Sequence, residues 1–295
     1  MSLFALPLVG RAGLGNALFP WARAELFAHE TGARILAPHW AQFRLGPYLR
    51  GEPQKRNYGG EFQTDHYVCG LSRLIICALG QRIQEGQHFP HSSLSQSSLP
   101  KIVEFRGIDD LFAPLLAEHD FIRRQLWAMT TPALRTKGEV YGAPYIAMHV
   151  RRGDLTRQGF AEQDLWKVNQ YTPLSWFVDM ARAVRRISSL RSVPIVIFTD
   201  GGSEELAALH NIDSIRFSQG RGPITDLWAM ANAGLLFASG FSTFSMWASF
   251  LGGMPTVYAP SKIQQRVQTG RASAFEIELD GDDELPQRAQ AQLDV

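Results

Sequence analysis

Three side chains able to carry positive charge lie within four positions of the stretch Tyr145–Asp154. Apolar residues alternate through its first half, which is typical of a strand with a period of two. The alternation predicts His149 and Arg151 on one face and Arg152 on the other. Arginine grips phosphate oxygens with a planar fork, and open α/β sheets bind ligands at the carboxyl ends of their strands. The stretch therefore predicts a phosphate site. The alternative is a structural cluster in which the arginines pair with Asp154 and other carboxylates.

A second place suited to an anion follows the apolar run Leu235–Ala238, which predicts another strand. The small polar turn Ser239–Thr243 leads into a helix that is expected to end at Gly252 and Gly253. The first N–H groups of a helix have no partner inside it, and the hydroxyls of Ser242 and Thr243 stand beside them. This order predicts an anion site, and the alternative is an ordinary helix cap.

The start of the chain has a glycine-rich turn, residues 10–16, between apolar segments. The predicted elements around it are the strand Phe4–Val9, the helix Ala17–Thr31 and the strand Ala33–Ala37. This order is the beginning of a Rossmann-like domain. A dinucleotide fingerprint would need a third glycine where Leu18 stands and an acidic residue after the second strand, where a proline and a histidine stand. The pattern disfavours an NAD enzyme.

Two further polar residues stand at predicted helix starts. Asn16 ends the glycine-rich turn, where an asparagine commonly serves as a turn residue or helix cap. Asp226 lies in the first turn of a helix opened by Pro223, where the helix dipole favours a carboxylate. From its position alone, Asn16 is better explained as such a turn or cap residue, and the dipole placement of Asp226 is the alternative to a ligand contact.

Other predicted elements fill the rest of the chain. Thr172 is expected to cap a helix with Pro173 at its first position, and residues 130–142 mark a domain boundary. The segment from Asp280 onward is acidic and is expected to be solvated. The remaining predicted strands are Ile102–Phe105, Pro194–Phe198, Ile215–Phe217 and Thr256–Tyr258, and the remaining helices are Leu71–Leu79, Asp109–Leu116 and Phe121–Met129.

Composition bounds the possible functions. The 295 residues carry a formal net charge of +1 and are 45% hydrophobic, which suits a globular protein with no nucleic-acid partner. The two cysteines, Cys69 and Cys77, fit neither a zinc pattern nor a disulfide framework. We expect no signal peptide, no integral membrane segment and a cytoplasmic protein, which leaves open a peripheral location at the inner face of the membrane.

Four stretches, in order along the chain, resemble motifs of one enzyme superfamily. His149–Asp154 resembles the His-x-Arg-Arg-x-Asp motif of the inverting fucosyltransferases, which include the α-1,2-, α-1,6- and protein O-fucosyltransferases. Gly13–Asn16 is similar to their Gly-x-Gly-Asn, although Ala17 replaces the usual glutamine and Pro20 departs from the pattern. Phe198–Asp200 resembles Phe-Ser-Asp. Ser242–Trp247 resembles a stretch of the bacterial α-1,2-fucosyltransferase-like proteins that binds the donor diphosphate.

The resemblance, which does not extend to residues 38–135, implies a fold and a reaction. The fold is α/β of the GT-B type, with two Rossmann-like domains facing each other across a cleft. Residues 1–138 would form the acceptor-side domain and residues 139–295 the domain that binds the GDP-sugar. The reaction is transfer of L-fucose from GDP-β-L-fucose to a hydroxyl of a glycan acceptor, either lipid-linked or a surface polysaccharide, with inversion.

The resemblance also assigns roles to residues. The implied donor-binding residues are Gly15, Asn16, His149, Arg151, Arg152, Asp226, Ser242, Thr243 and Phe244. Asp226 would accept two N–H bonds from guanine. The implied catalytic residues are Arg151, Asp154 and Asn16, with no metal and no cofactor because arginine and a helix end can stabilise the leaving phosphate. Candidates for a general base are Asp154, Glu162 and Asp164, and a route in which the leaving phosphate takes the proton needs none of them.

Two alternatives remain at this point. The same fold could use another GDP-deoxyhexose or form another linkage, and the sequence does not discriminate between these. A non-catalytic protein that binds GDP or carbohydrate is the other alternative, and the joint presence of His149, Arg151, Asp226 and Ser242 speaks against it.

Overall fold

The computed structural model describes residues 2–10, 12–41, 57–87, 99–138, 141, 144–152, 171–220, 222–290 and 292–293. The chain divides into two compact units, Met1–Thr131 and Pro132–Val295. The helix Pro132–Gly138 occupies part of the predicted boundary region and belongs to the second unit. The domains predicted as residues 1–138 and 139–295 stay a prediction.

The first unit is built on a four-stranded sheet. Its elements are β1 (Leu3–Pro7), α1 (Leu14–Thr31), β2 (Arg34–Ile35), α2 (Gly70–Leu79), β3 (Gln81–Gln84), β4 (Lys101–Phe105) and α3 (His119–Met129). The strands are parallel in the order β2-β1-β4-β3. The helix predicted over Asp109–Leu116 is wrong: only a 3-10 turn forms at Ala113–Leu115, because Asp110 and Leu111 have φ angles of 59° and 45° that a right-handed helix cannot contain.

Helix α1 begins at Leu14 rather than at the predicted Ala17, so Asn16 lies in its first turn and not in the loop before it. The N-cap residue is Gly13, which means that Asn16 is not the cap. The buried face of α1 places Leu18 and Trp21 in the core with no exposed surface. The helix ends at Gly32, whose φ of 71° suits a glycine.

A buried carboxyl group lies on the same helix. The hydroxyl of Tyr67 donates a hydrogen bond to Glu25 and accepts one of 3.0 Å from Nε1 of Trp21. All three side chains are buried. Burial raises the pKa of the Glu25 carboxyl to about 7, against the hydrogen bonds to Tyr67 and Trp21, which lower it. Glu25 is therefore a titratable group inside the core of the first unit.

The second unit contains a larger sheet. Its elements are α4 (Pro132–Gly138), β5 (Ile146–Val150), α5 (Leu174–Arg186), β6 (Ile195–Thr199), α6 (Ala207–His210), β7 (Ile215–Phe217), α7 (Pro223–Ala231), β8 (Leu235–Ala238), α8 (Thr243–Gly252), β9 (Thr256–Tyr258), β10 (Glu276–Glu278) and α9 (Gln287–Gln290). All six strands are parallel in the order β10-β9-β8-β5-β6-β7. This is the doubly wound Rossmann order, in which the direction of winding reverses between β5 and β8.

The two faces of this sheet are covered by different helices. On one face, Met148 and Val150 of β5 pack in a common core with Phe177 and Val184 of α5. On the other face, α7 packs against α8, and α8 contacts His149. The alternation of β5 therefore directs its odd-numbered and even-numbered residues to opposite layers of the unit.

The C-terminal segment is packed more closely than its acidic composition predicts. Leu285 and Leu293 are buried in the same core as β5, and Ala289 has no exposed surface. The sixth strand, β10, pairs with β9. The prediction of a solvated tail is wrong for these apolar residues because they cover the edge of the core, while Asp280 and Asp282 are exposed.

Among the described helices, none is both long enough and apolar enough to cross a membrane.

Candidate active site

The backbones of β5 and β8 are tied together at their carboxyl ends by one side chain. The Oγ atom of Ser239 accepts a hydrogen bond of 2.9 Å from the N–H of Arg151 and donates one of 2.8 Å to the carbonyl of His149. Ser239 is 1% exposed. The winding of the sheet reverses between these two strands, and Rossmann folds bind ligands in the crevice at such a position. The two hydrogen bonds of Ser239 therefore fix the backbone on both sides of that crevice.

His149 contacts the first turn of α8 across this crevice. Its Nδ1 atom lies 2.6 Å from Oγ of Ser245, and its ring lies 5.5 Å from the ring of Phe244. Burial lowers the pKa of His149 to about 4, and the Arg151 guanidinium adds to this effect while the Asp200 carboxylate opposes it. The imidazole is therefore neutral near pH 7 and acts there as a hydrogen-bonding group rather than as a cation.

The N-terminus of α8 has the helix cap that the sequence analysis gave as the alternative to an anion site. The Oγ atom of Ser242 accepts a hydrogen bond of 3.4 Å from the N–H of Ser245, and Thr243 is the first residue of the helix. Phe241, directly before the cap, has a φ of 50°, which is unusual for a bulky residue. This turn aims the start of the helix at the carboxyl edge of the sheet, where partial positive charge suits an anion.

The two arginines of the motif have different surroundings. Arg152 is 2% exposed, and its Nη1 atom donates to the carbonyls of Arg151 and Thr172 at 2.9 and 3.0 Å. Its guanidinium lies 5.0 Å from the centre of the Tyr171 ring. Arg151 is half-buried and close enough to His149 to affect its pKa. His149 and Arg152 lie on opposite faces, as the alternation predicts, and the contacts of Arg152 suit positioning of the backbone rather than direct binding of a ligand.

Thr172 does not cap the helix that follows it. The N-cap residue of α5 is Pro173, without a side-chain hydrogen bond, so the predicted cap is wrong. Instead, the Thr172 hydroxyl accepts a hydrogen bond of 2.9 Å from the N–H of Gly240. Gly240 needs to be a glycine, since a Cβ atom there would lie 2.7 Å from Cβ of Lys262. Thr172 thereby connects the segment that holds Arg152 with the turn that leads to α8.

The end of β6 provides further support for the motif. The N–H of Arg152 donates to Oδ1 of Asp200 at 2.7 Å, and the hydroxyl of Thr199 donates to the carbonyl of Val150 at 2.7 Å. These bonds place the Phe-Thr-Asp stretch beside the His-x-Arg-Arg stretch on neighbouring strands. Asp200 therefore orients the backbone of the motif and, through its charge, acts on His149.

Asp226 lies at the carboxyl edge of the sheet, on the side of β7. Its Oδ1 atom accepts a hydrogen bond of 2.6 Å from the hydroxyl of Ser218, which in turn accepts one of 3.2 Å from the hydroxyl of Tyr141. The carboxylate is half-buried in the first turn of α7. The strands β7, β6 and β5 are adjacent, so the Asp226 and His149 ends of the crevice are separated by roughly 10 Å, a distance that a nucleoside diphosphate can span.

The remaining predicted site residues lie in the first unit or outside the described residues. Gly15 and Asn16 lie in the first turn of α1, in the first unit, with Asn16 half-buried. Asp154, Glu162 and Asp164 lie outside the described residues. Within the described ranges, no group of three or more His, Cys, Asp or Glu side chains is placed to hold a metal ion.

The structure adds supporting residues that the sequence did not single out. Ser239 and Thr172 hold backbone groups of the site, and Ser218 holds Asp226. Ser245 belongs to the stretch Ser242–Trp247, but only its contact with His149 identifies its role. The position of Ser239 directly after a predicted central strand was the one signal in the sequence that could have identified it.

Neither a protein-family model nor a curated protein sequence matches the chain. Solved structures do match. The structure of NodZ alpha-1,6-fucosyltransferase soaked with GDP-fucose is similar with a TM-score of 0.57 and 15% identity, over 90% of this chain and 98% of that one. The selenomethionine structure of fucosyltransferase NodZ from Bradyrhizobium has a TM-score of 0.57 and 13% identity, over 90% and 97% of the two chains. NodZ alpha-1,6-fucosyltransferase co-crystallised with GDP has a TM-score of 0.52 and 13% identity, over 88% and 95%. The fold class predicted from the sequence, α/β of the GT-B type with two Rossmann-like units, is confirmed.

Proposed function

We propose that the protein is an inverting fucosyltransferase that transfers L-fucose from GDP-β-L-fucose to a hydroxyl of a glycan acceptor. The observation that carries this proposal is the arrangement at the carboxyl edge of the second sheet. There, Ser239 clasps the backbone of His149 and Arg151, and His149 is bonded to Ser245 in the first turn of α8. An arginine, a neutral histidine and a capped helix start thus converge at the position where Rossmann folds hold diphosphates.

The charges of this arrangement suit the departure of a nucleoside diphosphate. Cleavage of the bond between fucose and phosphate leaves positive charge on the sugar and additional negative charge on the β-phosphate. Arg151 and the N–H groups at the start of α8 would stabilise that negative charge, with Ser242, Thr243 and Phe244 forming the helix end. Such stabilisation requires no metal, so the proposed reaction is metal-independent and uses no cofactor besides the donor.

His149 would contribute a directed hydrogen bond. In the tautomer that we propose, the Ser245 hydroxyl donates to Nδ1, and the neutral ring carries its hydrogen on Nε2 and can donate it to the donor nucleotide. Arg152 would act indirectly, by holding the carbonyl of Arg151 and the Thr172 segment. Both roles depend on buried contacts, so they give the site its geometry before the donor binds.

Asp226 would recognise the guanine base of the donor nucleotide. A carboxylate accepts two N–H bonds from the edge of guanine, whereas adenine and uracil do not offer that pair of donors. The Ser218 hydroxyl holds one oxygen of Asp226 in place. Because this carboxylate lies along the same sheet edge as the proposed diphosphate site, the proposed donor is a guanosine nucleotide.

The other parts of the proposal rest on the sequence motifs. Asn16 and Gly15 would contact the donor or acceptor from the first unit, and Asp154 would act as a catalytic residue in or beside the motif. The stretch Ser242–Trp247 favours an α-1,2 linkage. We place the reaction in the cytoplasm, with a lipid-linked or surface-polysaccharide glycan as the acceptor.

Recognition of the guanine base and turnover of GDP-fucose can be tested separately. Thermal shifts with GDP, ADP, UDP and NAD should be largest for GDP, since ligand binding to the native state raises the melting temperature. The Asp226→Asn variant should bind GDP about tenfold more weakly, because one charged hydrogen-bond acceptor is lost. The exposed Asp213→Asn change is the matched control and should leave GDP binding unchanged.

Release of free fucose and GDP from GDP-fucose then reports the reaction without knowledge of the acceptor. Equal thermal shifts for all four nucleotides would mean that the base is not read, and the donor assignment would be abandoned. Binding of GDP-fucose with no turnover, with or without glycan acceptors, would instead indicate a non-catalytic protein.

A further inference from the structure

Two turns meet at the carboxyl edge of the second sheet, beside the start of α8. The β8 turn, residues 239–242, connects β8 with α8, and the β9 turn, residues 259–263, follows β9. The N–H of Phe241 in the β8 turn donates a hydrogen bond of 3.4 Å to the carbonyl of Lys262 in the β9 turn. Since β8 and β9 are adjacent parallel strands, their carboxyl ends lie at the same edge of the sheet. Lys262 therefore stands next to the proposed diphosphate site.

The side chain of Lys262 lies along the β8 turn. A Cβ atom added to Gly240 would lie 2.7, 3.0 and 2.8 Å from Cβ, Cγ and Cδ of Lys262, so the aliphatic stem covers the place that a larger residue would need. Lysine commonly packs its methylene groups on a surface and keeps its charged end at a polar group. The ammonium nitrogen is two bonds beyond Cδ. The stem contact thus brings a positive charge beside the turn that leads to α8.

The backbone of the β9 turn is held in place by β10. Glu278 is the last residue of that strand, and its Oε1 atom accepts hydrogen bonds of 2.9 Å from the N–H groups of both Lys262 and Ile263. The N–H of Lys262 also donates to the carbonyl of Ala259 at 3.2 Å, which closes the turn. Lys262 is therefore carried by a fixed segment, so less entropy is lost when it orders around a ligand.

Both turns contain a bulky or polar residue in the left-handed region of the backbone. Phe241 has a φ of 50°, and Ser261, the residue before Lys262, has a φ of 60°. This conformation costs free energy for residues other than glycine and persists where surrounding contacts enforce it, often at functional sites. Two such positions in adjacent turns indicate an edge of the sheet that is shaped for binding.

The surroundings of the Lys262 ammonium favour an anion as its ligand. Burial lowers the pKa of Lys262, because part of the hydration of the ammonium group is lost. A phosphate oxygen bound beside it would replace that hydration and favour the charged form. A lysine ammonium is a compact point charge, which suits a single phosphate oxygen.

The strand order indicates which part of the donor Lys262 would contact. Asp226, the proposed ligand of the guanine base, lies on the side of β7, whereas Lys262 follows β9 on the other side of the central strands β5 and β8. Arg151 and the start of α8 lie between these two ends of the edge. A nucleoside diphosphate with its base at Asp226 would therefore direct its terminal phosphate towards Lys262.

We propose that Lys262 binds the β-phosphate of the donor and, together with Arg151, stabilises the charge that this phosphate gains in the reaction. The bond between C1 of fucose and the β-phosphate oxygen breaks, its electron pair passes to that oxygen, and C1 forms its new bond with the acceptor oxygen. The inference rests on the function proposed above, because it concerns the same diphosphate site. It adds a second cation from a different strand, next to the group that changes its charge.

A comparison of GDP with GMP by isothermal titration calorimetry tests this assignment. Lys262→Met keeps an unbranched stem on Gly240 and removes the ammonium group. It should bind GDP about tenfold more weakly than the wild type does, the value of one charge-assisted hydrogen bond, and GMP equally well. Lys262→Arg keeps a positive charge and should recover most of the affinity for GDP. In GDP-fucose hydrolysis, kcat/KM of Lys262→Met should fall by at least the same factor, since the leaving phosphate is more negative in the transition state.

Arg186→Met is the matched control for the loss of one positive charge. Arg186 is the exposed last residue of α5, a helix that leads into β6 and therefore ends at the amino edge of the sheet. This variant should bind GDP and GMP as the wild type does.

Two results would overturn the assignment of Lys262 and leave the proposed function intact. One is a Lys262→Met protein that binds GDP as tightly as the wild type does, and the other is an equal loss of affinity for GDP and GMP, which would indicate a structural role. A wild-type protein that does not bind GDP at all would instead overturn the proposed function and the role of Lys262 together.

Discussion

The Nδ1 atom of His149 and the Oγ atom of Ser245 lie 2.6 Å apart although 96 positions separate them in the chain. One residue comes from the central strand of the second sheet and the other from the first turn of the helix that follows β8. Both residues are buried. Their hydrogen bond fixes the plane of the His149 ring and therefore also the direction in which Nε2 points. This contact joins the two halves of the proposed phosphate site, in addition to the hydrogen bonds that Ser239 and Thr172 make between them.

Removal of the Ser245 hydroxyl should weaken donor use more than it weakens the fold. The Ser245→Ala variant leaves Nδ1 of His149 without its partner, and we expect a decrease of about tenfold in kcat/KM for GDP-fucose hydrolysis, the value of one buried hydrogen bond. Ser245→Thr, which retains a hydroxyl, should recover part of that loss. Enzyme kinetics and the affinity for GDP measure both effects.

Ser249 provides the control on the same helix. Its Oγ atom lies in a buried network with Glu276, Gln268 and Thr256, away from His149. Ser249→Ala should lower the melting temperature and leave the affinity for GDP unchanged. If Ser249→Ala weakened GDP binding as much as Ser245→Ala does, the contact with His149 would have no specific role.

The stability of the protein should fall with rising pH because of Glu25. Its folded-state pKa of about 7 is above the ordinary value of 4.5, so between these pH values the native state holds a proton that the unfolded state has lost. Stability therefore decreases as the pH rises through this window. Glu25→Gln keeps a hydrogen-bond acceptor for Tyr67 and removes the titration, so its melting temperature relative to the wild type should increase from pH 5 to pH 8.

The exposed Glu30, on the same helix, is the matched control for this experiment. Glu30→Gln should show no such change in relative melting temperature over the same range. A constant difference between Glu25→Gln and the wild type at all pH values would contradict the assignment of a proton to the buried carboxyl group.

The parts of this fold that are predictable from sequence are local. The strands Ile215–Phe217, Leu235–Ala238 and Thr256–Tyr258 have the predicted bounds because short apolar runs between turn residues specify them. The strand Glu276–Glu278 was not predicted, since two of its three residues are charged and leave only one apolar position. Its existence depends on pairing with β9, which no local pattern shows.

The same distinction applies to the candidate site. Ser242 could be identified as a helix cap from its neighbours, and its hydrogen bond confirms this. The role of Thr172 could not, because its hydroxyl binds Gly240, which is 68 positions away. The burial of Arg152 is likewise a tertiary effect, arising from Tyr171 and Phe177 on the layer opposite to His149. Local sequence patterns thus identify the helix cap, whereas the roles of Thr172 and Arg152 depend on tertiary contacts that only the structure supplies.

Activity should not depend on a divalent metal. In the proposed reaction, Arg151 and the start of α8 stabilise the charge on the leaving diphosphate, which is the task that a metal performs in other transferases. Turnover of GDP-fucose should therefore be the same within error before and after dialysis against EDTA. Loss of activity on chelation, followed by recovery with magnesium or manganese, would show that this charge assignment is wrong.

The two adjacent arginines should respond differently to the same conservative change. Arg151→Lys keeps the charge and loses the planar fork, so it should cost at least ~2 kcal/mol of transition-state stabilisation, about thirtyfold in kcat/KM. Arg152→Lys replaces a guanidinium that binds the carbonyls of Arg151 and Thr172 and lies over the Tyr171 ring. Arg152→Lys should lower the free energy of unfolding by about 1–3 kcal/mol, because the hydrogen bonds to those two buried carbonyls become poorly oriented. It should decrease turnover less than Arg151→Lys does.

Each variant serves as the control for the other, since both replace arginine with lysine at consecutive positions. Denaturant unfolding measures stability, and donor hydrolysis at a temperature where both variants are folded measures turnover. We expect a variant with nearly normal stability and poor turnover at position 151, and the reverse at position 152. If Arg151→Lys retained full activity while Arg152→Lys lost it in a stable protein, the phosphate would have to be bound from the opposite face of β5, and the proposed site would have to be abandoned.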